Sequence, residues 1–456
     1  MSKYEPIEKS VTIIGAGLAG LTAARKLHAA GWQTTVLEAR GRVGGRVFTL
    51  HEGFAGGQYA EGGGEFIEAF HHRMIGLAKE FGLALAPVGG MEAWGMGLAL
   101  EGRVGRADDV ALWGADLTIE AEKLWGAFSL LGQHVPDPAR PQDSPDAAQL
   151  DAQSIAHWLA DQPVHPLAKK VFATRLRSEF TVELEELSLL DMARWSSFYY
   201  ADTGAGRNSF RVQGGNDLIP QRMAAALPDV RLNAVVMAVK QEASGVAISY
   251  RDQTGLVKVV RSGFAVIAVP FGPLRTISFD PPLPLESQAM VDGLTYGVVT
   301  KVMIQYAPPL SELGWGGRIL TDLPMTCTWH ASGGQPGTYD IVTVYTGAEA
   351  GKAFTALDEA ARIREAVAQV ERVCPGSAAR VVGARTMAWA NEPFTQGAYA
   401  AFKPGEVLRF WEGLRDPVGR VYFAGEHIAV HQGYMEGAVE SGERAAEEIR
   451  LREARS

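Results

Sequence analysis

The chain holds only two cysteines, Cys327 and Cys374, and no C-x-x-C pair. This excludes a disulfide framework and a thiolate metal cluster; two buried thiols are expected, and no bound metal. No run of about 18 apolar residues occurs, so no transmembrane helix is expected. The opening residues, Met1-Ser2-Lys3-Tyr4-Glu5-Pro6, lack the apolar segment of a secretory signal, and the chain closes on a polar tail, 450–456. A cytoplasmic protein with no membrane partner is the expectation. Long basic blocks, internal repeats and low-complexity tracts are also missing. With a net charge of −9, this argues against nucleic acid as a partner. The negative balance instead favours small cationic molecules through long-range attraction.

What remains is an ordinary globular composition, 47% apolar and 21% charged, long enough for a large core. Near its start, Val11-Thr12-Ile13-Ile14 reads as a buried strand. Gly15, Gly17 and Gly20 follow in G-x-G-x-x-G spacing. The first glycine permits the tight turn, the second lets backbone approach a pyrophosphate, and the third allows close helix–strand packing. Leu18, Leu21, Ala24 and Leu27 recur at helical spacing, and the N-terminus of such a helix favours a diphosphate. Gly31 ends the helix and Thr34-Thr35-Val36-Leu37 is a second strand. Glu38 closes it, where a carboxylate accepts ribose hydroxyls; this favours FAD or NAD over NADP.

Glu38-Ala39-Arg40-Gly41-Arg42-Val43-Gly44-Gly45-Arg46 resembles the second FAD motif of the flavin-containing amine oxidases. The resemblance continues through Glu61-Gly62-Gly63-Gly64-Glu65-Phe66-Ile67, Val212-Gln213-Gly214-Gly215-Asn216-Asp217, Trp389 to Tyr399, Val421 to His427 and Gly433 to Ala438. It implies an α/β protein: a Rossmann-like FAD-binding domain (1–85, 210–290, 391–456) interleaved with an α+β substrate-binding domain (86–209, 291–390). It places Arg40 and Arg46 near the diphosphate and flavin edge, Val236 on the adenine, and Gly425 and Glu426 on the diphosphate and ribityl chain. Trp389 and Met435 join the cofactor set. The helix starting near Gly433-Tyr434-Met435 would aim its N–H groups at the flavin N1–C2=O edge, where negative charge collects on reduction.

Between these motifs the pattern predicts helices over 72–81, 151–160 and 166–178 and a proline-rich loop over 136–145. It also predicts a strand over 230–233, a hairpin from Gly245 to Val260, and a long helix through Ala360, Ile363, Val367, Val370 and Val373.

Three positions carry the implied chemistry. Lys301 lies inside the apolar run Thr300-Lys301-Val302-Met303-Ile304, where burying an ammonium is costly. In the family such a lysine holds a water beside flavin N5 and assists reoxidation by O2. Tyr399 and Tyr434 match the two tyrosines that flank the substrate nitrogen, whose π-faces attract a partly positive amine. Phe66 keeps an aromatic wall in the substrate pocket. Ala398 stands where the monoamine oxidases carry the cysteine linked to flavin, so FAD is expected to be non-covalent.

The implied reaction is oxidation of a small amine to an imine with O2 reduced to H2O2; a homodimer is the assembly entertained. The alternatives are an L-amino acid oxidase, a flavin desaturase and an FAD-binding protein that works through a partner. Ile67 stands where several L-amino acid oxidases have a carboxylate-gripping arginine; Arg73, Arg207 or Arg211 would have to substitute. His427, His431 and the His71-His72 pair are candidates for polar tuning.

Overall fold

The run Val11–Ile14 becomes the central strand, Ser10–Ile14, of a five-stranded parallel sheet. Its neighbours are Gln33–Leu37 and Phe264–Ile267, with Val230–Arg231 and Val421–Phe423 at the edges. The central strand is buried on both faces, which is why it reads as continuous apolar sequence rather than as alternation. The computed structural model describes residues 9–88, 97–200, 208–413 and 415–454.

The helix Leu18–Ala29 buries Leu21, Ala24 and Leu27 against this sheet. The final helix, Met435–Ala454, runs close beside it. At the crossing, a Cβ on Gly442 would meet the Ala19 carbonyl oxygen at 2.3 Å, so only glycine admits the approach. That contact brings the start of the last helix next to the glycine turn, although more than 400 residues separate them.

A second, seven-stranded sheet runs Val381–Ala388, Val299–Tyr306, Asp340–Gly347, Cys327–His330, Ile319–Thr321, Gly97–Leu100, Arg103–Arg106. Its pairings are antiparallel except between Ile319–Thr321 and Gly97–Leu100. Lys301 lies in the strand Val299–Tyr306, buried along its whole length between two partner strands. Helices Leu117–Leu130, Pro166–Phe180 and Leu189–Tyr199 pack through Phe128, Phe172 and Trp195.

Most expected elements form: His72–Glu80, Pro166–Phe180, Glu359–Val373 and the hairpin Gly245–Arg251 with Val257–Ser262. Two differ. The helix expected over 151–160 is two helices, Ala147–Asp151 and Ile155–Ala160. Ser154 breaks it by accepting the His157 N–H as an N-cap and by bridging Ser188. The strand expected over 230–233 ends at Arg231, because Asn233 takes a left-handed φ of 54°. Both cysteines are buried and free. Among the described residues no helix is long and apolar enough to cross a membrane.

Candidate active site

The glycine turn is built as its spacing requires. Gly15 has φ of 103°, and a Cβ there would meet Ala268 O at 2.6 Å. A Cβ on Gly20 would meet Gly15 O at 2.0 Å. A Cβ on Gly17 would meet no atom within 4 Å, because that face opens into a cleft. Glu38 Oε2 accepts the Ala16 N–H at 2.7 Å and its Oε1 the Arg40 N–H at 2.9 Å. Each oxygen keeps acceptor capacity for a hydroxyl.

The cleft encloses about 360 Å³ and is continuous from this turn to the second sheet. The cofactor and substrate residues expected from the resemblance line it except Gly20, which packs behind the turn; of the four histidines considered, His427 lines it and His71, His72 and His431 do not. Arg40 donates to Thr395 Oγ1 at 2.6 Å, while its buried Nε has no hydrogen-bond partner among the described residues. Arg46 bridges the Ala398 carbonyl and Glu426 Oε1, the latter at 2.8 Å. Glu426 Oε2 accepts the Gly433 N–H at 2.9 Å, which ties the start of the last helix to the cleft floor. Gly425 donates its N–H to Ser441 Oγ at 2.8 Å. Trp389 Nε1 donates to Gly62 O at 2.8 Å. Met435 opens the last helix and packs against Gly64, and Val236 sits beside a bulge in the strand Val235–Glu242.

This donor set fits a dinucleotide. The cradle has an open Gly17 face, an acid for ribose, an arginine with an orphaned N–H, and a helix N-terminus whose first-turn N–H groups lack intrahelical acceptors. Burial, with Arg46 adding, drives His427 down to about 3, so it is neutral beside this set. His71 is likewise held down at about 3 by burial, and its Nδ1 accepts the Glu68 N–H at 3.0 Å. His431 pairs with Glu440 at 2.7 Å, and His72 is exposed.

The two tyrosines come together through one residue the sequence did not single out. Tyr399 Oη donates to the backbone carbonyl of Glu179, and Tyr434 Oη donates to Glu179 Oε1 at 2.8 Å. Tyr345 Oη shares a hydrogen bond with Tyr399 Oη at 3.1 Å, and Trp195 Nε1 donates to Tyr434 Oη at 3.1 Å. Burial first, and Glu179 next, push both phenols above their ordinary range, so both stay protonated. Phe66 lies edge-on to Trp329, centroids 5.5 Å apart, and lines the same wall. Glu68 joins Glu179 there; burial pushes it up to about 7, Ser209 opposing through a hydrogen bond and Glu179 adding.

Lys301 is not an edge residue. Its Nζ donates to Glu61 O at 3.2 Å, Gly63 O at 2.8 Å and Glu65 Oε2 at 2.9 Å. Of the arginines considered for a substrate carboxylate, Arg73 is held by Glu436 and Glu443, and Arg211 by Glu65. Arg207 lies outside the described residues. Arg175, which sequence reasoning passed over, lines the cleft.

A family model described as flavin containing amine oxidoreductase matches residues 18–450. The chain is 31% identical to the AofH protein of Mycobacterium tuberculosis, named for flavin-containing monoamine oxidase, over 97% of each chain. It is 27% identical to flavin-containing amine oxidase B of Mus musculus, over 97% of this chain and 86% of that one. Among solved structures, cyclohexylamine oxidase from Brevibacterium oxydans superposes with a TM-score of 0.84 at 27% identity, covering 98% of this chain and 99% of the other. Putrescine oxidase bound to putrescine superposes at 0.85 and 26% identity, covering 98% and 100%.

Proposed function

The chain belongs to the flavin-containing amine oxidoreductase family, a flavin-dependent enzyme by that membership, and from it we propose that the protein oxidises a small amine to its imine while O2 is reduced to H2O2. The imine then hydrolyses to an aldehyde or ketone. FAD, held non-covalently, supplies the two-electron acceptor. Ala398 lines the cleft where a linking cysteine would stand and offers no sulfur.

The observation that carries the reading is the joint anchoring of Tyr399 and Tyr434 on Glu179, in the same cleft as the dinucleotide cradle. Fixed phenol rings present π-faces to a partly cationic nitrogen without paying rotamer entropy on binding. The Glu179 carboxylate lies at the hydroxyl end of the Tyr434 ring and Arg175 lines the same cleft, so the wall beyond the two rings is polar. Trp195, Phe66 and Trp329 make much of the remaining wall apolar. Arg40, Arg46 and Glu38 hold the cofactor from the cradle side, and the last helix supplies a positive dipole end. Lys301, on the second sheet, brings its buried side chain into the cleft wall.

An L-amino acid substrate is the second reading, and Arg175 is the observation in its favour. The capture of Arg73 and Arg211 by glutamates counts against it. A peroxide-coupled screen of amines and L-amino acids on the purified yellow protein decides. Turnover of amines with little turnover of their α-carboxylated counterparts is expected. Preference for the amino acids would replace the reading, and no peroxide from either class would sink both.

A further inference from the structure

Lys301 carries three N–H donors, and each has a protein acceptor: two backbone carbonyls and Glu65 Oε2. Glu65 in turn does more than pair with the lysine. Its Oε1 accepts the Trp329 indole N–H at 2.8 Å and meets Arg211 Nη2 at 2.7 Å. Arg211 also donates to Ala331 O at 2.7 Å and to His330 O at 3.3 Å, so its guanidinium is fixed from behind. The side chains of Lys301, Glu65 and Arg211 are only 6%, 2% and 8% exposed. Burial alone would push Glu65 up, but Lys301 and Arg211 outweigh it and hold the carboxyl below its usual range. The carboxylate is ionised, and the three groups together carry one net positive charge.

A net charge shielded from water acts over a longer distance than one at the surface. Lys301 and Glu65 both line the cleft, whereas Arg211 stands one carboxylate further back. A redox ring in that cleft gains negative charge when reduced, so the local charge biases it toward the reduced form. Resting on the FAD reading of this cleft, we propose that Glu65 is a positioning residue: it fixes the Lys301 ammonium, tempers its charge, and with Arg211 sets the reduction potential of the bound flavin. The lysine supplies the positive charge nearest the cleft, Glu65 offsets it, and Arg211 restores part of it.

The signs make the test specific. Midpoint potentials of substrate-free holoenzyme are measured by chemical reduction against a reference dye, near pH 8.5, above the value of about 7 to which burial and then Glu65 raise Glu61, so that this neighbouring carboxylate is ionised in every variant. Glu65→Gln removes a negative charge and shifts the potential positive. Arg211→Gln removes a positive charge and shifts it negative. The double variant returns toward wild type, and Glu65→Asp, which keeps the charge, stays near it. Damage to packing alone has no reason to move the two single variants in opposite directions. Shifts of the same sign, or no shift in either, overturn the proposal. If Glu65→Gln does not fold, Arg211→Gln and Glu65→Asp still decide, since an unmoved potential in the first or a large shift in the second is fatal. No substrate enters the measurement, so failure to find an amine substrate leaves this test standing.

Discussion

Tyr434 Oη donates to Glu179 Oε1 at 2.8 Å, and the same glutamate takes the Tyr399 hydroxyl on its backbone carbonyl. The two rings are therefore coupled through one residue on the helix Pro166–Phe180. Replacing either tyrosine with Ala should lower kcat/KM for an amine by about 1–2 kcal/mol of transition-state stabilisation, with the flavin spectrum nearly unchanged. Phe keeps the ring face and should cost less. The double Ala variant should lose less than the sum, because both rings act on one nitrogen and share one anchor. Strict additivity in steady-state kinetics would contradict that arrangement.

FAD should leave the protein on denaturation, because Ala398 has no nucleophile at the linking position. Acid precipitation of the yellow holoenzyme is expected to release the chromophore into the supernatant. Colour retained on the washed pellet would show a covalent bond formed elsewhere.

Lys301→Met should keep FAD bound and permit anaerobic reduction, yet slow reoxidation by O2 more than about tenfold, roughly 1.4 kcal/mol in barrier. The substitution also strands Gly63 O and Glu65 Oε2 without their present donor, so some loss of thermal stability is expected. Stopped-flow reoxidation at the wild-type rate would remove the lysine from the oxidative half-reaction.

The cradle was legible because its physics is local. Gly15, Gly17, Gly20 and Glu38 sit within one strand–turn–helix–strand unit, and each role follows from spacing. Lys301 stood out as a lone charge in an apolar run. Glu179 did not, because in sequence it is one of several charged residues on a helix; only packing sets it against tyrosines more than 200 residues away. Glu65 lay inside a quoted motif but received no role, although an acid between Gly64 and Phe66 in a buried stretch was a signal of the same kind as Lys301. Arg211 was considered for a substrate carboxylate, and the structure gives it a protein one instead. The break at Ser154 needed knowledge of Ser188, which no local pattern supplies.

Glu61 offers a test of burial by pH. Its carboxylate is fully enclosed, accepting the Asn216 N–H at 2.9 Å and the Thr49 hydroxyl at 2.8 Å. Burial nevertheless raises it from 4.5 to about 7, with Glu65 adding. Between those two values the folded state binds more protons than the unfolded one, so this group makes stability fall as pH rises through the window. The full shift corresponds to about 3 kcal/mol at most. Glu61→Gln cannot ionise and retains the backbone carbonyl that Lys301 uses. The variant should therefore melt above wild type near pH 8 and close to it near pH 5. Melting curves that stay parallel across that range would mean that Glu61 titrates alike in the folded and unfolded chain, and that its enclosure is compensated by its two hydrogen bonds.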